Sequence, residues 1–174
     1  GFNLYHDLLK RTIQAIKNNT KFDIKDALVE EVEINSGIAC IIPDTYLPDV
    51  HERLILYKRI ASAKNDNELK ELKIEMIDRF GRLPDPTKNL FESTSLKIQS
   101  KEIGIQKINI YDDKSEITLK DKNTIDASKI INLIQTNSRM FQLKNQNTLI
   151  YKEEMDGDYS RIEKISKLLG SIMV

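Results

Sequence analysis

The spacing of apolar residues changes along the chain, and each change marks a boundary between predicted elements. Apolar positions recur every three or four residues over about Asn3–Lys17, which predicts a first amphipathic helix. Two short apolar runs, Val29–Ile34 and Ile38–Ile42, then flank the turn signal Asn35-Ser36-Gly37. This arrangement predicts a pair of short strands joined as a hairpin.

Helical spacing returns after Pro48 and predicts three helices in succession. Asp49 is the expected N-cap of the first helix, and Asn65-Asp66-Asn67 separates it from the second. Gly81 is expected to end the second helix, and a long third helix is predicted over Pro86–Ile103. The predicted core side of the first of these helices is the stripe formed by Val50, Leu54, Tyr57 and Ala61, widened by Leu56 and Ile60.

The last third of the chain alternates between hairpins and helices. A hairpin is predicted over residues 105–120, a helix over Ala127–Thr136, two strands over Met140–Leu143 and Thr148–Tyr151, and a final helix over Tyr159–Ser171. Hairpins outnumber crossover units, so the expected fold is α+β. A small mixed or antiparallel sheet should pack with several helices, preceded by the N-terminal helix.

Composition restricts the classes of partner. The 174 residues include 27 basic and 27 acidic side chains, so no strong overall field draws the chain to nucleic acid or to a membrane. No apolar run approaches the roughly 20 residues that span a bilayer. Cys40 is the only cysteine, which excludes an internal disulfide and fits a cytoplasmic setting. Its apolar neighbours predict an inert core thiol.

Motifs for catalysis are missing from the sequence. No glycine-rich phosphate loop is present, and His6 and His51 lie far apart with no cysteine at metal-site spacing. Paired acids such as Glu30-Glu31 are of the kind that usually faces solvent. We therefore expect no catalysis, no metal and no cofactor within this chain.

Four acidic residues of the second predicted helix form the sharpest candidate site. They recur at spacings of three or four and should stack on one side of the helix as an acidic ridge, formed by Glu68, Glu71, Glu75 and Asp78. One interpretation is an ordinary solvated face. The other is an electrostatic docking edge for a partner that carries arginines, bordered by Met76 and Phe80.

Residues 57–86 resemble one bacterial family, the transcription-repair coupling factors of the Mfd type, in their C-terminal (TRCF) module. Residues 1–9 are similar to the element that joins the translocase motor of that family to this module. The resemblance implies a linker or hook helix over residues 1–20 and a C-terminal regulatory domain over residues 21–174. The motifs that carry it are Arg53-Leu54, Tyr57-Lys58-Arg59-Ile60, Glu68-Leu69, Asp78-Arg79-Phe80-Gly81 and Leu83-Pro84.

The function follows from the resemblance alone. Members of the family are cytoplasmic ATP-dependent translocases on double-stranded DNA that displace stalled RNA polymerase and recruit UvrA for nucleotide excision repair. ATP and magnesium belong to their motor, whose motifs are absent from this sequence. The C-terminal module does no chemistry. It docks on the UvrB-like N-terminal module of the same protein and masks the UvrA-binding surface there.

This role favours the docking interpretation of the acidic ridge. Glu75 and Asp78 are the expected central contacts, and Glu71, Arg79 and Phe80 are secondary ones. Two other functions remain as alternatives, an independent DNA-binding domain and a helicase fragment with residual nucleotide binding. The zero net charge argues against the first and the missing phosphate loop against the second.

Overall fold

The structure, a computed structural model, describes Lys10, residues 31–153 and residues 158–173, with the side chains of residues 158–160 left aside. The chain divides into two compact units, residues 1–31 and 32–174. Only Lys10 and Glu31 of the first unit are described, so the fold given below is that of the second unit. The predicted first helix, apart from Lys10, lies outside the described residues, as does the predicted linker.

The described part of the second unit contains one strand, three consecutive helices, a hairpin, a helix, a second hairpin and a last helix. Its helices are α1 (Val50–Ala61), α2 (Asp66–Phe80), α3 (Asp85–Ile103), α4 (Ala127–Thr136) and α5 (Asp158–Ile172). Its strands are β1 (Glu33–Asn35), β2 (Ile105–Ile110), β3 (Lys114–Leu119), β4 (Phe141–Asn145) and β5 (Thr148–Lys152). The five helices predicted after Pro48 and the two later hairpins are confirmed to within a few residues.

One mixed sheet holds all five strands, in the order β1-β2-β3-β5-β4. The strand β1 runs parallel to β2, with Ile34 opposite Ile108, and the other pairs are antiparallel. The α+β prediction with a small mixed sheet is therefore confirmed.

The larger core lies between this sheet and three helices. The C-terminal half of α3, the helix α4 and the helix α5 pack against it through buried aliphatic side chains. Each such side chain contributes about 1.5–3 kcal/mol on burial. The largest fully buried residues of this core are Leu96, Ile103, Ile105, Ile108, Ile117, Leu149, Ile162, Ile165 and Leu169.

A second core joins α1, α2 and the N-terminal half of α3. Its buried residues are Ile42, Leu47, Leu56, Ile60, Leu69, Leu72, Met76, Leu83 and Phe91. The helix α3 contributes to both cores, through Phe91 in one and Leu96 in the other. Gly104 ends α3 with a φ of 94°, as the sequence predicts for a helix stop.

The predicted strand Ile38–Ile42 is wrong. The Ile41 N–H donates to the Pro86 carbonyl at 3.2 Å, and the Thr87 hydroxyl donates to the Ile41 carbonyl at 3.0 Å. The Ile42 N–H donates to the Tyr57 hydroxyl at 2.6 Å. Groups on α1 and α3 thus satisfy this backbone, and β1 pairs with β2 instead. Cys40, in the same segment, is half-buried, so the predicted core position for its thiol is wrong as well.

The predicted core stripe of α1 is only partly confirmed. Leu56 and Ile60 carry the buried side, whereas Val50 is 60% exposed and Leu54 is 49% exposed. The buried side lies about a third of a helical turn from the predicted stripe. Contacts with α2 and α3, which helical spacing alone does not specify, decide which side is covered.

Candidate acidic docking face

Side-chain caps mark the starts of α1 and α2. The Asp49 side chain accepts from the Glu52 N–H at 3.0 Å, which confirms the predicted N-cap of α1. At the start of α2 the Asn65 side chain accepts from the Glu68 N–H at 2.9 Å. The Glu68 carboxylate in turn accepts from the Lys64 N–H at 2.8 Å. Of the two bonds at α2, the first satisfies a backbone donor that a helix start leaves without a partner, and the second ties the residue before the N-cap to the same turn.

The helix α2 has a buried side and a charged side. Leu69, Leu72 and Met76 are buried in the second core. The acidic ridge of Glu68, Glu71, Glu75 and Asp78 lies away from that core, as the spacing predicted. The four acids differ in their surroundings, because the Glu68 carboxylate accepts from the Lys64 N–H and the Glu75 carboxylate is bonded to Arg59 of α1.

Two arginines hold Glu75. The Arg59 guanidinium, on α1, donates through Nη1 to Oε2 at 2.5 Å and through Nη2 to Oε1 at 3.1 Å. Arg79 Nη1 lies 3.7 Å from the same Oε2, one helical turn along α2. The hydrogen bond from Arg59 lowers the pKa of Glu75 below its ordinary value, and the same bond raises the pKa of Arg59. Glu75 is therefore ionised and paired within the chain.

Arg79 and Phe80 belong to the closing turn of α2. Arg79 also forms an ion pair with Glu52 of α1, and its guanidinium lies 4.7 Å from the centre of the Phe80 ring. Phe80 meets Tyr46 edge to face at 6.1 Å, and the Tyr46 hydroxyl donates to the Gly81 carbonyl at 2.9 Å. Both predicted secondary residues thus stabilise the end of the helix on which the ridge lies.

Glu71 and Asp78 are the open acids of the ridge. Both are exposed, and neither carboxylate forms an ion pair or hydrogen bond with the part of the chain that the structure describes. Ile74 lies between them at helical spacing and is 52% exposed, and the adjoining Ile77 is 43% exposed. The outer side of α2 therefore presents two carboxylates around an uncovered aliphatic side chain.

A shallow cleft lies beside the ridge, between the C-terminal end of α1 and the first turns of α2. Small and aliphatic side chains contribute to its wall, together with three carboxylates and one guanidinium. The residues that line this acidic cleft are Arg59, Ser62, Ala63, Glu68, Glu71, Leu72 and Glu75. A long cationic side chain with an apolar stem matches this combination in shape and charge.

The sequence interpretation missed two residues of this face, Arg59 and Glu52. Both lie on α1, 16 and 27 positions from their partners Glu75 and Arg79. A signal for them was available, because the polar break Asn65-Asp66-Asn67 is short enough to return α2 along α1. In such a helical hairpin side chains of α1 can reach α2, as Arg59 reaches Glu75 and Glu52 reaches Arg79.

Other kinds of site receive little support. Among the described residues no group of three or more His, Cys, Asp or Glu side chains could hold a metal ion. Within the same residues, none of the helices combines the length and the apolar character that crossing a membrane requires. Two basic residues that a nucleic-acid site could use, Arg59 and Lys107, form ion pairs with Glu75 and Glu33.

Comparison with known proteins gives one consistent result. A sequence profile described as "TRCF domain" matches residues 36–130. The chain is 34% identical to the transcription-repair-coupling factor of Escherichia coli (strain K12) over 172 residues, which is 99% of this chain and 15% of that protein. The corresponding protein of Haemophilus influenzae is 33% identical over the same share of each chain. This chain thus spans less than a fifth of the length of these two relatives.

A solved structure shares the fold. The crystal structure of a C-terminal domain of transcription-repair coupling factor superposes with a TM-score of 0.68 at 23% identity, covering 81% of this chain and 91% of that one. The profile match extends over more than half of the 174 residues. This chain belongs to the TRCF-domain family, the family of a domain that the transcription-repair coupling factors carry.

Proposed function

We propose that this domain is the regulatory C-terminal module of a coupling factor, and that it docks on the UvrB-like N-terminal module of the same protein. Docking masks the surface through which that module binds UvrA. The whole factor then acts as a cytoplasmic ATP-dependent translocase on double-stranded DNA that displaces stalled RNA polymerase. ATP and magnesium serve the motor, and this domain contributes no catalytic group.

The observation that supports docking best is the outer side of α2. This helix is fixed on its inner side by Leu69, Leu72 and Met76. On its outer side Glu71 and Asp78 stand open around the exposed Ile74. An aliphatic side chain between two unpaired carboxylates complements a partner surface that presents arginines beside an apolar group.

The strength of such a contact suits a gate, meaning a docked domain that masks the UvrA-binding surface in one state and is released in the other. Exposed ion pairs contribute about 0.2–1 kcal/mol each, and coupling between sites in allosteric proteins is typically about 1–3 kcal/mol. A few pairs along the acidic ridge are therefore enough to hold the closed state. Water can replace them when the motor moves, so the contact is also releasable.

The ridge residues have different roles in this proposal. Glu75 and Asp78 are the central contacts, and Glu71 extends the contact toward the start of α2. Arg79 and Phe80 act within the chain, because they fix the last turn of α2 through Glu52 and Tyr46. Their loss would disturb the position of Asp78 and not remove a direct contact.

Capture of UvrA by the full-length factor that carries this domain tests the proposal. The Glu75→Lys and Asp78→Lys double variant should open the closed state and raise UvrA capture. A matched control is the double variant Glu102→Lys and Asp121→Lys, which changes the net charge equally at exposed acids outside the ridge. Equal capture by the ridge variant and the control would contradict the proposal.

A further inference from the structure

The acidic cleft already contains an arginine of this chain. Arg59 reaches it from α1 and meets Glu75 in a two-point contact, at 2.5 and 3.1 Å. Bidentate pairing of this kind is the geometry by which a guanidinium recognises a carboxylate. Arg59 therefore occupies the position that an arginine from another protein surface would take.

Both oxygens of the Glu75 carboxylate already accept a hydrogen bond from Arg59. A carboxylate has about four acceptor positions. Two are taken by Arg59, and the Arg79 guanidinium lies 3.7 Å from Oε2. While Arg59 donates to both oxygens, a partner guanidinium cannot make the same two-point contact, so Glu75 offers that contact to a partner arginine only by exchange.

Replacement of Arg59 by a partner arginine on Glu75 costs little free energy, because both groups are exposed to water. The Arg59 side chain is 45% exposed and the Glu75 side chain is 39% exposed, so water can solvate both groups during the exchange. An exposed pair contributes about 0.2–1 kcal/mol. Glu71 in the same cleft has no ion pair with any described residue, and it offers an incoming cation a first contact.

We propose that Arg59 is an internal competitor of docking, which holds the acidic cleft until an arginine of the partner surface displaces it from Glu75. This inference rests on the proposed function and adds the regulation of the same site. Arg59 weakens docking by the free energy of its pair with Glu75. It keeps the cleft ordered and charged when the partner is absent.

The test uses UvrA capture by the full-length factor that carries this domain. Arg59→Gln should favour the closed state and lower UvrA capture by about two- to five-fold, the upper part of the range that corresponds to the loss of one exposed ion pair. Lys58→Gln is the matched control, since it removes one positive charge from the neighbouring exposed position of α1. It should leave capture within about 1.5-fold of the wild type.

A second arm separates competition from a structural effect. In a Glu75→Gln background Arg59 has lost its partner, so Arg59→Gln should no longer lower capture. Arg59→Lys keeps the charge but not the two-point geometry, and its effect should lie between those of wild type and Arg59→Gln.

The outcomes are distinguishable. One outcome is that Arg59→Gln leaves UvrA capture unchanged or raises it, while the Glu75→Lys and Asp78→Lys variant still raises capture. This outcome would overturn the competitor role of Arg59 but not the proposed masking of the UvrA-binding surface. An equal effect of Arg59→Gln in the Glu75→Gln background would also overturn it. No response to the ridge reversal would overturn the gate and the competitor role together.

Discussion

The four acids of the ridge share one side of α2 but meet different neighbours. Glu68 accepts from the Lys64 N–H and Glu75 is held by Arg59, whereas Glu71 and Asp78 have no ion-pair or hydrogen-bond partner for their carboxylates among the described residues. Sequence spacing predicted the ridge because spacing depends on the helix alone. It could not rank the acids, because Arg59 approaches from another helix.

The pairing of Glu75 makes stability depend on pH. Arg59 lowers the pKa of Glu75 in the folded chain, so the stabilisation is present above the ordinary value of 4.5 and is lost as the pH falls through the lowered pKa. Glu75→Gln should be less stable than wild type at about pH 7, and the difference should shrink at about pH 3. Urea unfolding at both pH values, with Glu102→Gln as control, measures this. A difference that is the same at both would contradict the pairing in solution.

Gly104 is the glycine at which both space and conformation exclude a side chain. Its φ is 94°, and an added Cβ would lie 2.4 Å from the Lys122 carbonyl oxygen. Gly104→Ala should lower the free energy of unfolding by about 2–4 kcal/mol. Gly37→Ala, at a φ of 66° but with open space around the Cβ, should cost about 1 kcal/mol. Equal costs in urea unfolding would show that the contact with Lys122 does not matter.

At the scale of elements, features that depend on neighbouring residues were predicted correctly, and features that depend on residues far along the sequence were not. The start of α1 and the end of α3 were predicted because their capping residues, Asp49 and Gly104, act within one turn of chain. The segment Ile38–Ile42 was mistaken for a strand because its backbone partners, Tyr57 and Thr87, lie far along the sequence. The covered side of α1 was only partly predicted for the same reason.

The cap of α2 should be measurable by itself. Asn65→Ala removes the acceptor for the Glu68 N–H and should cost about 1 kcal/mol. Asn67→Ala changes an exposed neighbour in the first turn of the same helix and should cost less than about 0.5 kcal/mol. Thermal unfolding followed by circular dichroism compares the two. If both variants unfold at the same temperature, the Asn65 cap contributes nothing.

At the scale of the whole molecule, α3 joins two cores that the sequence pattern did not separate. Phe91 packs in the core with α1 and α2, and Leu96 packs in the core with the sheet. A single continuous helix should make the second unit unfold as one cooperative body. The acidic ridge is then presented on a rigid support, which a docking surface requires.

Leu96→Ala tests that coupling. The Leu96 side chain is fully buried, so its truncation should cost about 2–5 kcal/mol. Hydrogen exchange in denaturant should show α1 and β5 losing protection together, at the same lowered denaturant concentration. Loss of protection in the sheet alone would mean that the two cores are independent.

The central claim is that this domain docks on the UvrB-like module through the acidic ridge. Calorimetric titration of this chain with that module, with and without Glu75→Lys and Asp78→Lys, tests it most directly. We expect heat of binding for the wild-type chain and none for the double variant. Binding that survives the reversal would contradict the assignment of the ridge, and absence of binding by the wild-type chain would contradict the docking itself.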